Sequence, residues 1–162
     1  MIYAQDQTDM AGEAALLSSF EGGEKPETRF ITALAGDLGL EEERAVLITQ
    51  SVVAAAARAR LLDAIKSLKE NNEMEMLVSL IKLSSLVQYI PVLQADGPEP
   101  ELIASSLKNA SSGEERKKIL YLLGQLYLEG ATLWTAMLGF RAETALTLTE
   151  TIIEEKAKSE GA

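Results

Sequence analysis

The sequence predicts an all-α fold, a bundle of about five or six helices with two long, mostly apolar helices at its centre. Apolar residues recur at helical spacing along most of the chain, and no two segments alternate well enough to pair as strands. Hydrophobic residues make up 47% of the chain and aromatic residues only 5%, so we expect an aliphatic core. A length of 162 residues is typical of one domain. We therefore expect a single helical domain over 1–162, with a flexible arm at 1–8 and a frayed tail at 159–162.

The first predicted helices are short. Asp9 is a suitable N-cap for a helix that runs to about Phe20, where a Glu-Gly-Gly-Glu segment ends it. Pro26 suits the first position of the next helix, and Gly39 ends that helix. The apolar residues between them have helical spacing: Phe30, Ile31, Leu34 and Leu38.

The longest predicted helix runs from Glu41 to Lys69. It begins with three glutamates, which stabilise the positive end of the helix dipole. At 1.5 Å per residue it is about 43 Å long, more than the roughly 30 Å diameter of a small domain. Its apolar residues repeat every seven positions, as they do in helices that pair along their length. This repeat gives a candidate interface of Leu47, Ala54, Leu61 and Leu68.

A second long helix is expected from Glu73 to Val92, after a turn at residues 70–72. Apolar residues cover so much of its circumference that it belongs at the centre of a bundle or in an oligomer interface. Pro91 kinks or ends this helix. A short helix from about Pro100 to Asn109 follows.

The last long segment begins with a capping-box pattern, in which Ser112 is followed three residues later by Glu115. Its stretch from Ile119 to Phe140 is the second central helix of the predicted bundle. That stretch is long enough to cross a bilayer, but Glu129 at its centre would cost about 2.5–3.5 kcal/mol there. We therefore expect a buried helix with no membrane contact.

A helix that continued from Gly113 to Lys158 would be about 70 Å long. The radius of gyration of a domain of this size is only about 15 Å. A break is therefore expected near Gly130 or Gly139. Residues 146–152 alternate like a strand, but we expect helix there because no second strand is available to pair with them.

Charge and composition exclude several functional classes. The chain has neither cysteine nor histidine, which excludes disulfide scaffolds, thiolate or imidazole metal sites and catalytic triads with an imidazole base. A net charge of −10 repels phosphate backbones and anionic membranes, so nucleic acid and membrane partners are not expected. No basic segment followed by an apolar one is found at the start, which predicts a cytoplasmic protein.

One cluster could bind an apolar ligand. Half of the eight aromatic residues lie within twenty residues of each other around Trp134. A pocket here would be lined by aromatic and apolar side chains, with a carboxylate at its base. The competing explanation for the aromatic residues is ordinary core packing. For Glu129 it is a position on a solvent-exposed polar stripe of the helix. The candidate ligand-binding residues are Tyr127, Glu129, Trp134, Met137 and Phe140.

Carboxylates are the only side chains left that could hold a metal ion such as Mg²⁺. Glu70 and Glu73 are three residues apart, and Glu150 and Glu154 are four apart on one helical face. A solvated charged surface is the favoured explanation for both pairs.

We expect a non-catalytic interaction or assembly module without a cofactor, which self-associates through its long helices as a homodimer. Another protein is the alternative partner. The alternative functions are an apolar-ligand-binding bundle and, less favoured, a Mg²⁺-dependent hydrolase that uses glutamate clusters.

Overall fold

The computed structural model describes residues 26–39 and 41–161, and every regular element in that part of the chain is helical. The all-α prediction is confirmed, with seven α-helices in the described part where about five or six were expected for the chain. The predicted arm at 1–8 and the predicted helix from Asp9 to Phe20 lie outside the described residues. The helices are α1 Pro26–Leu38, α2 Glu42–Lys69, α3 Glu73–Tyr89, α4 Pro98–Ala110, α5 Gly113–Leu126, α6 Ala131–Met137 and α7 Glu143–Glu160.

The chain divides into two compact units, Met1–Thr49 and Gln50–Ala162. In the first unit, α1 ends as predicted at Gly39, whose φ of +65° lies in the left-handed region that glycine adopts without strain. Ile31 and Ala35, one turn apart on α1, are both buried. The prediction of one domain over the whole chain stays a prediction.

The core of the second unit is largely aliphatic, as expected. Leu61 of α2, Leu80 of α3 and Leu107 of α4 have no exposed surface. The one large aromatic side chain among them is Trp134 of α6, which is also fully buried. The other fully buried large side chains are Met76, Leu83, Ile119, Leu123, Met137, Leu138, Ile152 and Thr135.

A tight turn joins α2 to α3. Asn71 has a φ of 55°, a left-handed conformation that asparagine tolerates better than most residues. The Asn72 side chain then accepts a hydrogen bond from the backbone N–H of Glu75 at 3.2 Å and so caps α3. This local chemistry fixes where α3 begins, and Pro91 follows directly after its last turn.

The predicted second central helix is wrong as a single element. Helix α5 ends at Leu126, a 3-10 turn occupies Leu128–Gly130, and α6 ends at Met137. The break has a packing cause, because the indole Nε1–H of Trp134 donates to the Tyr127 carbonyl at 3.0 Å. The same carbonyl accepts from the backbone N–H of Gly130 at 3.2 Å, a bond to the third residue that closes the 3-10 turn instead of continuing the α-helical ladder.

Both positions at which a break was expected are confirmed. A Cβ on Gly130 would lie 2.8 Å from Trp134 Nε1, so only glycine allows the indole to pack against the 3-10 turn. Gly139, two residues after the end of α6, has a φ of +77° and marks the second break. The chain therefore turns twice between α5 and α7.

Residues 146–152 are helical, as predicted, and belong to α7. Leu148 and Ile152 face α5, where a Cβ on Gly124 would lie 2.7 Å from Ile152 Cδ1. The alternating threonines do not need a strand partner, because Thr149 and Thr151 each donate to the carbonyl four residues earlier at 2.8 Å. Helix α7 extends to Glu160, inside the predicted tail at 159–162.

In the described part of the chain, α2 is the one helix that is long and apolar enough to cross a membrane by length and composition alone. The stretch from Ile119 to Phe140, which is long enough in the sequence to cross a bilayer, is not one helix. It is interrupted between α5 and α6 and again after α6. Ala57, Leu61 and Ala64 of α2 are fully buried in the core of the second unit, which accounts for part of the apolar character of this helix.

Candidate functional site

Helix α3 has two apolar faces. Its inner face enters the core through Met76, Leu80, Leu83, Ser84 and Val87. On the opposite side, large apolar side chains are left in contact with solvent: Met74 is 73% exposed, Val78 42%, Ile81 49% and Tyr89 86%. Intervals of four, three and eight residues place these four side chains along one side of the helix. We call this row the outer stripe of α3; Ser85, half-buried, fills the gap in it.

Two charged side chains lie along one edge of the outer stripe. Glu75 follows Met74 and Lys82 follows Ile81, and both are exposed. Neither makes an ion pair with a residue in the part of the chain that the structure describes. The stripe therefore has an acidic group and a basic group seven residues apart on the same edge.

Polar contacts lie near both ends of α3, one to α5 and one within the helix. Glu73 Oε1 lies 3.4 Å from Lys118 Nζ of α5, although both side chains are largely exposed and such a pair contributes little to stability. Near the other end, Gln88 Nε2 donates to Ser84 Oγ at 2.9 Å and so satisfies a hydroxyl of the buried face. The burial of its inner face, rather than these polar contacts, fixes the helix that carries the outer stripe.

The seven-residue repeat of α2 does not form a continuous surface. Leu61 is fully buried in the core, so this side chain is not accessible to a partner. Ala54 and Leu68 are half-buried and pack against the core. Leu47, in the first unit, is 61% exposed. The second half of the repeat is therefore explained by packing within the chain.

The aromatic residues around Trp134 pack in and against the core, as the competing explanation predicted. Trp134 and Met137 have no exposed surface, and Tyr127 packs against them from the edge. Phe140 is covered on one face by the guanidinium of Arg116, 5.4 Å from the ring centroid. Arg116 also donates to the Leu138 carbonyl at 2.8 Å.

Glu129 was expected within an apolar helix and instead lies in the 3-10 turn, exposed to solvent. The expectation that Glu129 is exposed to solvent is confirmed. Its Oε2 accepts a hydrogen bond from the Tyr127 hydroxyl at 3.3 Å. Desolvation, the nearby Glu129 charge and this hydrogen bond together raise the pKa of the Tyr127 phenol above its usual value. The phenol is therefore a neutral donor at physiological pH.

A second tyrosine joins α5 to α7. The Tyr121 hydroxyl donates to Glu155 Oε2 and accepts from Gln125 Nε2 at 3.0 Å. The hydrogen bond to Glu155, with smaller contributions from desolvation and the Glu155 charge, raises the pKa of Tyr121. The pair joins the surfaces of the two helices.

The candidate metal ligands do not come together. Among the described residues, no three or more acidic side chains lie close enough to hold one ion. Glu70 borders an open cleft of about 320 Å³ together with Lys66 and Lys69, whose ammonium groups oppose cation binding. Glu73 faces Lys118. Glu150 and Glu154 are exposed on α7.

Comparison of the chain with models of protein families, with curated proteins and with solved structures finds no match.

The outer stripe is the feature that sequence reasoning described incompletely. The sequence indicated that α3 has too many apolar residues for one buried face, and gave a bundle centre or an oligomer interface as the two explanations. Residue type alone does not separate Met74, Val78 and Ile81 from the buried residues of the helix. The signal that separates them is their spacing, since they lie about half a turn away from Leu80 and Leu83.

Proposed function

We propose that the chain is a non-catalytic self-association module, a homodimer that forms through the outer stripe of α3. The observation that supports this proposal is the second apolar face of α3, which the core of the chain does not use. Monomeric proteins expose single apolar side chains routinely, but aligned rows of them typically mark an interaction surface.

A second copy is the simplest occupant of such a surface. From Met74 to Tyr89 the stripe is about 22 Å long, at 1.5 Å per residue. A two-fold dimer uses the same patch on both subunits, so one apolar stripe is sufficient to build it. Packing of Met74, Val78 and Ile81 against the same side chains of a second copy would remove all three from water on both sides.

Static light scattering across a concentration series tests the proposal. We expect the wild-type chain to have twice the mass of 17.5 kDa at high concentration. Ile81→Lys should give the monomer mass with an unchanged helical circular dichroism spectrum, because Ile81 is half exposed and its change leaves the core intact. A wild-type mass of 17.5 kDa at every concentration would rule out the dimer.

Leu102→Lys is the matched control. Leu102 of α4 is 69% exposed, more than Ile81, and lies outside the outer stripe. The same charge placed there should leave the dimer mass unchanged. If both variants became monomeric, general surface charge rather than the stripe would explain the effect.

We further propose that the module is cytoplasmic and works without nucleic acid or membrane partners. The net charge of −10 supports this, since it opposes binding to phosphate-rich surfaces. Cell fractionation should recover the protein in the soluble cytosolic fraction. Sedimentation with anionic lipid vesicles at low salt would contradict the proposal.

A further inference from the structure

The charges at the edge of the outer stripe specify how two copies would pair, provided that the proposed dimer exists. We propose that two α3 helices pack antiparallel about a two-fold axis near Ser79, with Glu75 of each copy beside the partner's Lys82. The inference rests on the proposed function and adds to it the orientation and register of the interface.

The spacing of the stripe fits a helix seam. Met74, Val78, Ile81 and Ser85 follow one another at intervals of four, three and four, which is the spacing of the contact positions in paired helices. Glu75 and Lys82 each come directly after a contact position. They are therefore the flanking charged positions on one edge of the seam, where side chains commonly pair across helices.

Orientation decides which edges meet. In an antiparallel pair, each edge of the seam faces the same edge of the partner helix. Reversal of the chain direction then brings Glu75 opposite the partner's Lys82, and Lys82 opposite the partner's Glu75, when the axis passes midway between them. One register thus forms two ion pairs from charges that have no ionic partner within the described part of the chain.

The competing arrangements lack this complementarity. In a parallel pair, the edge with Glu75 and Lys82 faces the other edge of the partner, where Leu77 is half-buried, Ser84 is buried in the core and neither has a charge. In an antiparallel pair shifted along the seam so that the axis passes near Lys82, the two lysines face each other. Like charges at an interface favour other registers. Antiparallel helices also place their dipoles in the favourable relative direction.

Disulfide trapping tests the orientation cleanly, since the chain has no native cysteine. Two variants, Glu75→Cys and Lys82→Cys, are prepared separately and oxidised alone or mixed. We expect a covalent dimer in the mixture. Each variant alone should remain uncrosslinked, because its two cysteines would lie about 10 Å apart along the seam, seven residues at 1.5 Å each, beyond the reach of a disulfide. Efficient crosslinking of Glu75→Cys alone would place the two-fold axis near residue 75, and a mixture that stays uncrosslinked would mean that residues 75 and 82 do not meet. Either result would overturn the inference.

Charge reversal tests the register. Glu75→Lys replaces two attractive pairs by two repulsive ones, and we expect the dimer dissociation constant to rise about tenfold or more at low salt. The double variant Glu75→Lys with Lys82→Glu should restore wild-type affinity. Glu101→Lys, an exposed acid of α4 outside the stripe, is the control for net charge and should change the affinity little.

The outcomes separate the two proposals. A wild-type chain that is monomeric by light scattering removes the dimer itself. A wild-type dimer whose affinity neither falls on reversal of Glu75 nor recovers in the double variant retains the proposed function and overturns the pairing of Glu75 with the partner's Lys82.

Discussion

Gly130 and Trp134 depend on each other. A methyl group on Gly130 would lie within 2.9 Å of both the Trp134 indole and the Tyr127 ring. We expect Gly130→Ala to lower the free energy of unfolding by about 1–3 kcal/mol, because the fully buried indole cannot move aside without strain. Urea denaturation followed by circular dichroism measures this change.

Gly113→Ala is the control for that substitution. A Cβ at Gly113, the first residue of α5, would meet no atom within 4 Å. Alanine there should be neutral or stabilise the fold by about 0.4–1 kcal/mol, since it restricts the unfolded chain more than glycine does. Equal losses in the two variants would show that the Gly130 contact is unimportant.

The hydrogen bond between Tyr121 and Glu155 predicts a pH dependence. The pKa of Tyr121 is raised above 10.0 in the folded chain, so the phenol contributes stability fully below pH 10. That contribution is lost as the pH rises through the folded-state pKa. Tyr121→Phe should therefore show a smaller decline in unfolding free energy above pH 10 than the wild type.

For single residues, the sequence indicated burial and exposure better than it indicated the local secondary structure. Core packing of Trp134 and solvent exposure of Glu129 were among the alternatives that residue type and helical spacing allowed. The place of Glu129 in a 3-10 turn was not among them, because the break before it depends on the bond between Trp134 Nε1 and the Tyr127 carbonyl. Such a contact between residues seven apart has no local sequence pattern.

Two adjacent residues of α3 belong to opposite faces and should respond differently to truncation. Leu80 is fully buried, and Leu80→Ala should cost about 2–5 kcal/mol of unfolding free energy at any protein concentration. Ile81→Ala should cost little in the dissociated chain and should weaken association. Denaturation at low concentration, combined with light scattering at high concentration, separates the two effects. Similar behaviour of both variants would mean that Ile81 acts through folding alone.

Helix positions were predicted well where local signals are strong. Helix starts are marked by the glutamates at residues 41–43, by Pro26 at the first position of α1 and by the capping box at Ser112 and Glu115. The structure has both capping hydrogen bonds of that box. The role of the seven-residue repeat of α2 was harder to predict from the sequence. A repeat of seven residues fits a core contact as well as an interface, and the burial of Leu61 in the core follows only from the way the chain folds around it.

Association couples the stability of the whole chain to its concentration. If the outer stripe joins two copies, the folded dimer gains stability by mass action as the protein concentration rises. We expect the melting temperature of the wild type to increase over a hundredfold range of concentration. That of Ile81→Lys should stay constant over the same range. A constant melting temperature for both proteins would argue against a dimer that stabilises the fold.

The sequence could establish fold class but not which apolar surface stays uncovered. Helical periodicity and the lack of paired strand patterns were sufficient for the all-α prediction. Which face of α3 meets the core depends on the placement of α2 and α5 around it, which is information at long range in the chain. The division of the chain at Thr49 likewise reflects contacts rather than composition.

The complete burial of Trp134, the only tryptophan, gives the protein an optical reporter of its interior. An indole in the apolar core fluoresces at shorter wavelength than one in water, and its emission shifts to the red when the core opens. Because the outer stripe lies on the opposite side of α3 from the core, pairing of two chains should leave that emission unchanged. Tryptophan fluorescence would thus follow folding without responding to assembly, and the two equilibria could be measured separately in one unlabelled sample.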